Sequence, residues 1–590
     1  MTYPLTVYKA SAGSGKTFRL AVEYIKLLVM NPQHFRNILA VTFTNKATEE
    51  MKMRIISQMY GILMQYSDSK SYRDKLCEEL ECSEEFLRKQ VKTALTLLLH
   101  NYSFFRVETI DSFFQRVLRN LARELDLTAN LRIELNDRQV EELAVDRMID
   151  DLTGDDEVMQ WIMDYIYDNM QEDKSWNVIG QIKNFGTNIF KDFYKDRRDQ
   201  LEKFNSSSEI FKQFVKALKD IRDNAQEAMK QTSVSFFESL DANGLSINDF
   251  AYGKSGLAGL FVKIADGPIP PSDITSRALN AVDNPDKWVR KKHERELEIK
   301  DLVNSELNNY LKYAVTEMPR LWKNYQSAQL SLRHLYQLRL LDTIENKVRQ
   351  LNDDAGRFLL CDTQHLLQSL INNNDSPFIF EKIGAYLEYI MIDEFQDTSV
   401  VQWQNFKILL SECMSHVDSR NLIVGDVKQS IYRWRSGDWR LLNDIDSQFG
   451  NSNQVVKVLP LSTNFRSNGN VIDFNNKFFV HASEKEYEQQ KESCPQGADQ
   501  LKKAYSDVVQ GIPDTKKGKG KVSITLLPSA DYQEEVLNEM ADTIFQLLDQ
   551  GVKQSNIAIL VRTNSYIPLI ANYFIDNHSE INIVSDEAYR

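Results

Sequence analysis

The stretch Ala10-Ser-Ala-Gly-Ser-Gly-Lys-Thr17 constrains this chain more than any other. It follows a short apolar run at 5–8 and opens an amphipathic run at 18–29. That order predicts a strand, a glycine loop and a helix, the arrangement of a phosphate cradle. Glycine lets successive backbone N–H groups converge on one anion, and the helix N-terminus adds partial positive charge. In this reading Ala10, Ser11, Ala12, Gly13, Ser14, Gly15, Lys16 and Thr17 hold a nucleotide. Lys16 reaches the β- and γ-phosphates, and Thr17 places its hydroxyl on Mg²⁺. Ala10 stands where the strict pattern has Gly, which is tolerated if that position needs no positive φ.

The chain has 590 residues, enough for about three or four domains. Hydrophobic residues make up 42% and charged residues 26%, so core material is ample. The net charge of −13 excludes a protein coated in positive charge but leaves room for a local basic groove. No run of eighteen apolar residues predicts a membrane span, and the N-terminus has no basic and apolar signal pattern. A cytoplasmic protein is expected. The five cysteines (Cys77, Cys82, Cys361, Cys413, Cys494) form no C-x-x-C pair and are expected as free thiols.

The periodicity predicts α/β structure at both ends and helices between. Apolar runs at 5–8, 37–42 and 105–108 read as parallel strands, each followed by a helical pattern at 16–30, 47–66 and 111–125. From 126 to 384 strand signals nearly vanish, helical spacing dominates (139–152, 330–351), and 253–271 reads as a loop. A basic cluster at 288–295 reads as a solvated helix face. Strands return at 389–392, 421–424 and 455–461, then a polar, Lys-rich excursion at 484–521. A final β-α-β-α-β series follows: strands at 521–527, 556–561 and 581–584, helices at 532–548 and 566–576. Because Arg590 comes straight after a strand, the last domain is expected to be incomplete.

Three further runs carry chemistry. Asp393-Glu-Phe-Gln-Asp-Thr398 caps an apolar strand, at the edge where α/β sheets bind ligands. Asp393 would anchor Mg²⁺ and Glu394 would activate the attacking water. Gly425-Asp-Val-Lys-Gln-Ser-Ile-Tyr-Arg-Trp-Arg435 caps the next strand, with Gln429 placed to sense a γ-phosphate. Tyr432 and Trp434 interleave with Arg433 and Arg435, the mixture of stacking faces and cations that single strands require. In Leu461-Ser-Thr-Asn-Phe-Arg-Ser467, Arg466 could be offered to the phosphates from a second domain.

Together these runs resemble superfamily 1 DNA helicases of the UvrD/Rep type, with Ile38–Ala47, Glu50–Arg54 and Thr109–Phe113 matching as well. The long helical region and the Ala-Ser-Ala-Gly-Ser-Gly-Lys-Thr loop look most like the RecB/AddA branch, which works in double-strand-break repair and recombination. The resemblance implies a RecA-like motor domain at 1–125 and 385–454, a helical insertion at 126–384, and the beginning of a second RecA-like domain at 455–590. It implies ATP and Mg²⁺ as cofactors and 3′–5′ translocation on single-stranded and partial-duplex DNA. A second subunit of a helicase–nuclease would be a partner.

Thr42, Phe43, Asn45 and Thr109 would line the strand's path, Tyr432, Trp434 and Arg435 would meet bases and backbone, and Phe465 would stack on adenine. Two departures stand out: Asp111 replaces a common DNA-facing His, and Phe18 replaces an Arg that flanks adenine in some relatives. The late motifs of the second motor domain are not found in the sequence. That leaves an alternative reading, an ATP- and single-strand-binding module without productive turnover.

Overall fold

A computed structural model of the protein describes residues 3–122, 132–134, 137–153, 159, 162–163, 166, 178–195, 197–205, 208–290, 293–359, 387–416, 418–450, 452–528 and 532–585. Cys361 and the expected domain limits at 125–126 and 384–385 lie outside the described residues.

The strands are β1 (Leu5–Ala10), β2 (Ile38–Thr42), β3 (Val107–Thr109), β4 (Arg132–Glu134), β5 (Arg357–Leu359), β6 (Tyr389–Ile392), β7 (Asn421–Gly425) and β8 (Val456–Leu461). Six of them form one sheet in the order β3-β2-β6-β7-β1-β8, with every pairing parallel. β2, β6 and β7 are buried along their whole length, which is why they read as unbroken apolar runs.

Alternate residues feed two cores. Tyr8, Ala40, Met391 and Val424 pack against α1 (Lys16–Met30), α2 (Asn45–Met64), α3 (Lys70–Leu80) and α4 (Glu84–His100). Val7, Val41, Ile392 and Ile423 pack against α5 (Ile110–Ala122) and the helix Val400–Ser415. Covering both faces leaves the carboxyl edge of the sheet as the open place for a ligand.

Two compact units emerge: Met1–Ser462 with Glu486–Asp507, and Thr463–Lys485 with Val508–Arg590. β8, which the sequence places at the head of the second domain, is an edge strand of the first sheet, registered on β1 from Leu5↔Val456 to Ala10↔Leu461.

In the helical region the long helices Ser208–Ala242 and Asn308–Asp354 share a core in which Phe236 stacks on Phe261 at 3.9 Å. Phe261 lies on a helix, Ala258–Asp266, inside the segment expected as a loop. Its neighbours Leu257, Leu260 and Ile264 are buried, and the flanking glycines and prolines masked that spacing. The basic cluster is not simply a solvated face. Arg295 donates to the carbonyls of Asn243 (2.8 Å) and Gly244 (2.9 Å), closing the end of the helix Ser208–Ala242. β4 and β5 pair in parallel, three residues each, too short to announce themselves by alternation.

In the second unit the helices Tyr532–Asp549 and Tyr566–Asn577 pack around Leu537, Ile544, Ile570 and Phe574. The runs 521–527, 556–561 and 581–584, expected as strands, do not pair into a sheet. Alternating apolar residues specify a strand only when a neighbour meets its N–H and C=O groups. Here Leu526, Leu560 and Val584 stand exposed instead. The four described cysteines are free thiols. Among the described residues no helix is long and apolar enough to cross a membrane.

Glu141 is fully buried in the helical region, and among the described residues neither carboxyl oxygen has a hydrogen-bond partner. A Cβ on Gly186 would sit 2.1 Å from its Oε1. Burial pushes its carboxyl up to about 7. The unfolded chain therefore loses this proton first, and stability falls as pH rises from the ordinary carboxylate range through 7. We expect Glu141→Gln to stabilise the protein increasingly between pH 5 and pH 8, by roughly 2–3 kcal/mol at the upper end. Urea midpoints of both proteins across that range check this, and a constant difference would contradict it.

Candidate nucleotide site

β1 delivers the chain to the loop through buried Ala10, which lies in extended backbone and so needs no glycine. Gly13 (φ 73°) and Gly15 (φ 85°) take the left-handed conformation that other residues disfavour. Between them Ser14 closes a turn: its N–H donates to Ser11 O (3.1 Å) and its Oγ accepts from Ser11 N (3.2 Å). α1 then begins at Lys16 with no side-chain cap and no acidic residue in its first turn. Its first N–H groups, which have no intrahelical acceptor, suit an anion. Thr17 follows in the same turn.

The amine of Lys16 donates to Glu394 Oε2 (2.8 Å) and to Gln429 Oε1 (2.9 Å). Three loops thus meet at one nitrogen, from the carboxyl ends of β1, β6 and β7. Asp393 continues β6, its N–H donating to Val41 O (2.9 Å), and its buried carboxylate accepts from Glu394 N (2.9 Å). Burial, and then the neighbouring Glu394 charge, push the Asp393 carboxyl up to about 6. Glu394 sits in the left-handed region (φ 49°).

Sequence reasoning missed the layer behind these groups. Buried Gln396 donates to Glu394 Oε2 (2.7 Å) and accepts from Asp426 N (2.9 Å), tying the β6 and β7 loops together. Asp426 in turn accepts from Gln429 Nε2 (2.8 Å) and Lys428 N (3.0 Å), and burial raises its carboxyl. Asp397 is held by Ile431 N (3.3 Å), and burial pushes it up to about 6. The available signal was polar residues interrupting the apolar ends of two strands.

The expected strand-binding residues divide into two groups. Phe43, Tyr432 and Trp434 form an aromatic row, with ring centroids 4.4 Å and then 6.0 Å apart. Trp434 is 67% exposed and Arg435 lies over its ring at 4.9 Å. Asn45 is exposed at the start of α2. Thr42 and Thr109 are buried instead. Thr42 Oγ1 bonds Thr48 Oγ1 (2.7 Å) and Thr44 O (3.1 Å), while Thr109 Oγ1 bonds Ser112 Oγ (2.7 Å) and accepts from Ser112 N (3.2 Å). Both shape the loops behind the surface rather than the surface itself.

Asp111 accepts from Gln402 Nε2 (3.1 Å) in the first turn of α5, where negative charge is favourable. Phe18 packs half-buried against Tyr72 with centroids 4.4 Å apart. In the second unit, Asn464 Oδ1 accepts from the N–H groups of Arg466 (2.9 Å) and Ser467 (3.0 Å). That turn leaves Phe465 and Arg466 exposed, and the Lys516 amine fixes their carbonyls at 2.7 and 2.9 Å.

The family model for the UvrD/REP helicase N-terminal domain matches residues 2–450, and that for the UvrD-like helicase C-terminal domain matches residues 459–589. The chain belongs to the UvrD/REP helicase family. Its first compact unit has the RecA-like α/β architecture of that family's ATP-binding domain. Among curated proteins it is similar to exonuclease/helicase subunit RexA of Lactococcus lactis subsp. cremoris, 25% identical over 98% of this chain and 47% of that protein. It is also similar to the ATP-dependent helicase/nuclease subunits of Streptococcus mutans (25% identical, 80% of this chain, 37% of that protein) and of Clostridium novyi (26%, 80% and 37%). The chain spans about half the length, or less, of the curated relatives it matches.

Gly425 ends β7 within this UvrD-type site. A Cβ there would lie 2.7 Å from Leu442 Cδ2 and 2.8 Å from Gln396 Oε1. Gly425→Ala should displace Gln396 and cost about 1–3 kcal/mol by overpacking. A lowered thermal unfolding midpoint together with weaker nucleotide binding is the expected pair of readings.

Proposed function

We propose that this chain carries the ATP-binding motor of a 3′–5′ DNA helicase that moves on single-stranded DNA. It would belong to a RecB/AddA-like helicase–nuclease acting with a second subunit in the cytoplasm, in double-strand-break repair and recombination. Residues 1–125 and 385–454, together with β8, serve as the first motor domain, 126–384 as an insertion, and the rest of 455–590, apart from 486–507, as the beginning of the second motor domain. The single observation that carries this reading is the Lys16 amine shared by Glu394 and Gln429, which gathers a phosphate-binding cation, a candidate base and a candidate γ-phosphate sensor. The names of the similar proteins, which specify helicase and nuclease, support the wider assignment.

When ATP enters, its β- and γ-phosphates take the place of the two side-chain oxygens on Lys16. Glu394, released, faces the attacking water and accepts its proton. Gln429, its Nε2 still held by Asp426, senses the γ-phosphate through that water, whose second O–H donates to Oε1. Asp393, a buried carboxylate, and Thr17, a hydroxyl in the first turn of α1, are the oxygen donors that would hold Mg²⁺, a hard cation that prefers oxygen. Bound there, it would neutralise charge developing on the transferred phosphoryl group. By the resemblance, Arg466 would be an arginine for the phosphates and Phe465 the aromatic for adenine. Phe43, Tyr432 and Trp434 supply stacking faces for successive bases, with Arg435 and Asn45 beside them.

ATP hydrolysis by the 590-residue chain, with and without single-stranded DNA, tests the reading. We expect DNA to stimulate turnover. Lys16→Ala should lower turnover by about two orders of magnitude or more. Glu394→Gln should keep ATP affinity and lose hydrolysis, because its carboxylate acts in the transition state. Parental turnover by Lys16→Ala would sink the assignment. Binding of both ligands without turnover would favour the module reading. Trp434→Ala should weaken single-strand binding by roughly 1–3 kcal/mol without changing ATP affinity.

A further inference from the structure

The polar stretch after the second unit's first helix reads as a surface excursion, yet residues 486–507 belong to the first compact unit. The chain leaves the second unit at Lys485 and returns to it at Val508. Between those points the helix Pro495–Ala504 buries Ala498 and Ala504. Gln500 accepts from Asn443 Nδ2 (2.8 Å) and donates to Asp444 (3.1 Å), and Lys503 pairs with Asp444 at 2.6 Å. Asn443 also receives the Lys9 amine on its carbonyl (3.0 Å), one residue before the phosphate loop. At the end of the segment Asp507 accepts from the Lys428 amine at 2.8 Å.

Lys428 is next to Gln429, and its amine also lies 3.3 Å from buried Asp426. Asp426 is the group that orients Gln429, because it accepts from Gln429 Nε2 and so turns Oε1 towards Lys16. An amide side chain has two unlike ends: with Nε2 held on Asp426, Gln429 offers its Oε1, an acceptor that meets a γ-phosphate only through a shared donor, the attacking water or the Lys16 amine. Asp426 cannot do this as a lone buried charge, and Lys428 compensates it. Asp507 holds Lys428 in place. A merely solvating carboxylate would have no reason to sit at the end of a docked segment, paired to the residue beside Gln429.

We propose that Asp507 is a positioning residue for γ-phosphate sensing, acting through Lys428 and Asp426 on Gln429, and that residues 486–507 are the strap that holds it there. This inference rests on the nucleotide site proposed above. Being on the surface side of the pair, Asp507 can be replaced without disturbing a core. Its effect should therefore fall on discrimination between nucleotides rather than on folding.

The test is competition binding of ADP and ATPγS to the 590-residue chain and to Gln429→Ala, Asp507→Ala and Asp507→Glu. Asp507→Ala should reduce the preference for ATPγS over ADP by about fivefold or more, as expected for a coupled contact, while ADP affinity stays within about twofold. Gln429→Ala should lose the same preference, and Asp507→Glu should retain most of it. If Gln429→Ala loses the preference and Asp507→Ala keeps it, the positioning role is wrong and the site assignment stands. If both nucleotides weaken in parallel in Asp507→Ala, the strap is only structural and the proposal falls. If the parent has no preference, or Gln429→Ala does not change it, the site assignment fails and the proposal with it.

Discussion

The candidate nucleotide site depends on one nitrogen. The Lys16 amine is the point at which three loops, distant in sequence, become one surface: the glycine loop after β1, the acidic loop after β6 and the loop after β7. Each loop is fixed by its strand, and the strands are fixed by two cores drawing on alternate residues of the same sheet. A cation among acids is held firmly in a partly water-excluded cleft, so the site is organised before a nucleotide arrives. Phosphate oxygens resemble the carboxylate and amide oxygens they would replace. Entry of the ligand therefore exchanges partners rather than building a site.

The same neighbourhood is rich in negative charge. Asp393, Asp397 and Asp426 are buried, and burial raises all three carboxyls. Lys16 and Lys428 are cations set among them. Such a cluster favours a cation, the part that Mg²⁺ would play there beside the anionic phosphates. It also explains why Gln396 is buried there. A neutral amide can bridge Glu394 and the Asp426 backbone without adding another charge to a crowded site.

Most of the motor fold was legible because its strands are buried on both faces and so appear as short apolar runs, as at 389–392 and 421–424. The helices at 16–30 and 532–549 were legible from spacing alone. What failed has a common cause: pairing is a long-range property. The apolar run of β8 gives no hint that it pairs with Leu5–Ala10. The equally apolar runs at 521–527 and 556–561 give no hint that they remain unpaired. The site shows the same division. That Lys16, Glu394 and Gln429 belong near one another was legible from type and position, whereas burial of Thr42 and Thr109 and the docking of Asp507 depend on neighbours that no local pattern encodes.

Glu394 illustrates a tension inside such a motor. Its backbone is left-handed, a conformation that disfavours any residue bearing a Cβ by about 1 kcal/mol or more. Glycine would be comfortable there but would remove the carboxylate, and asparagine would be tolerated but could not take the proton-accepting role proposed for Glu394. The position thus sets conformational ease against chemistry, and selection for folding alone would drift away from glutamate. A thermostabilised version of this protein chosen without regard to turnover should accumulate changes at just such positions, gaining rigidity as it loses its engine.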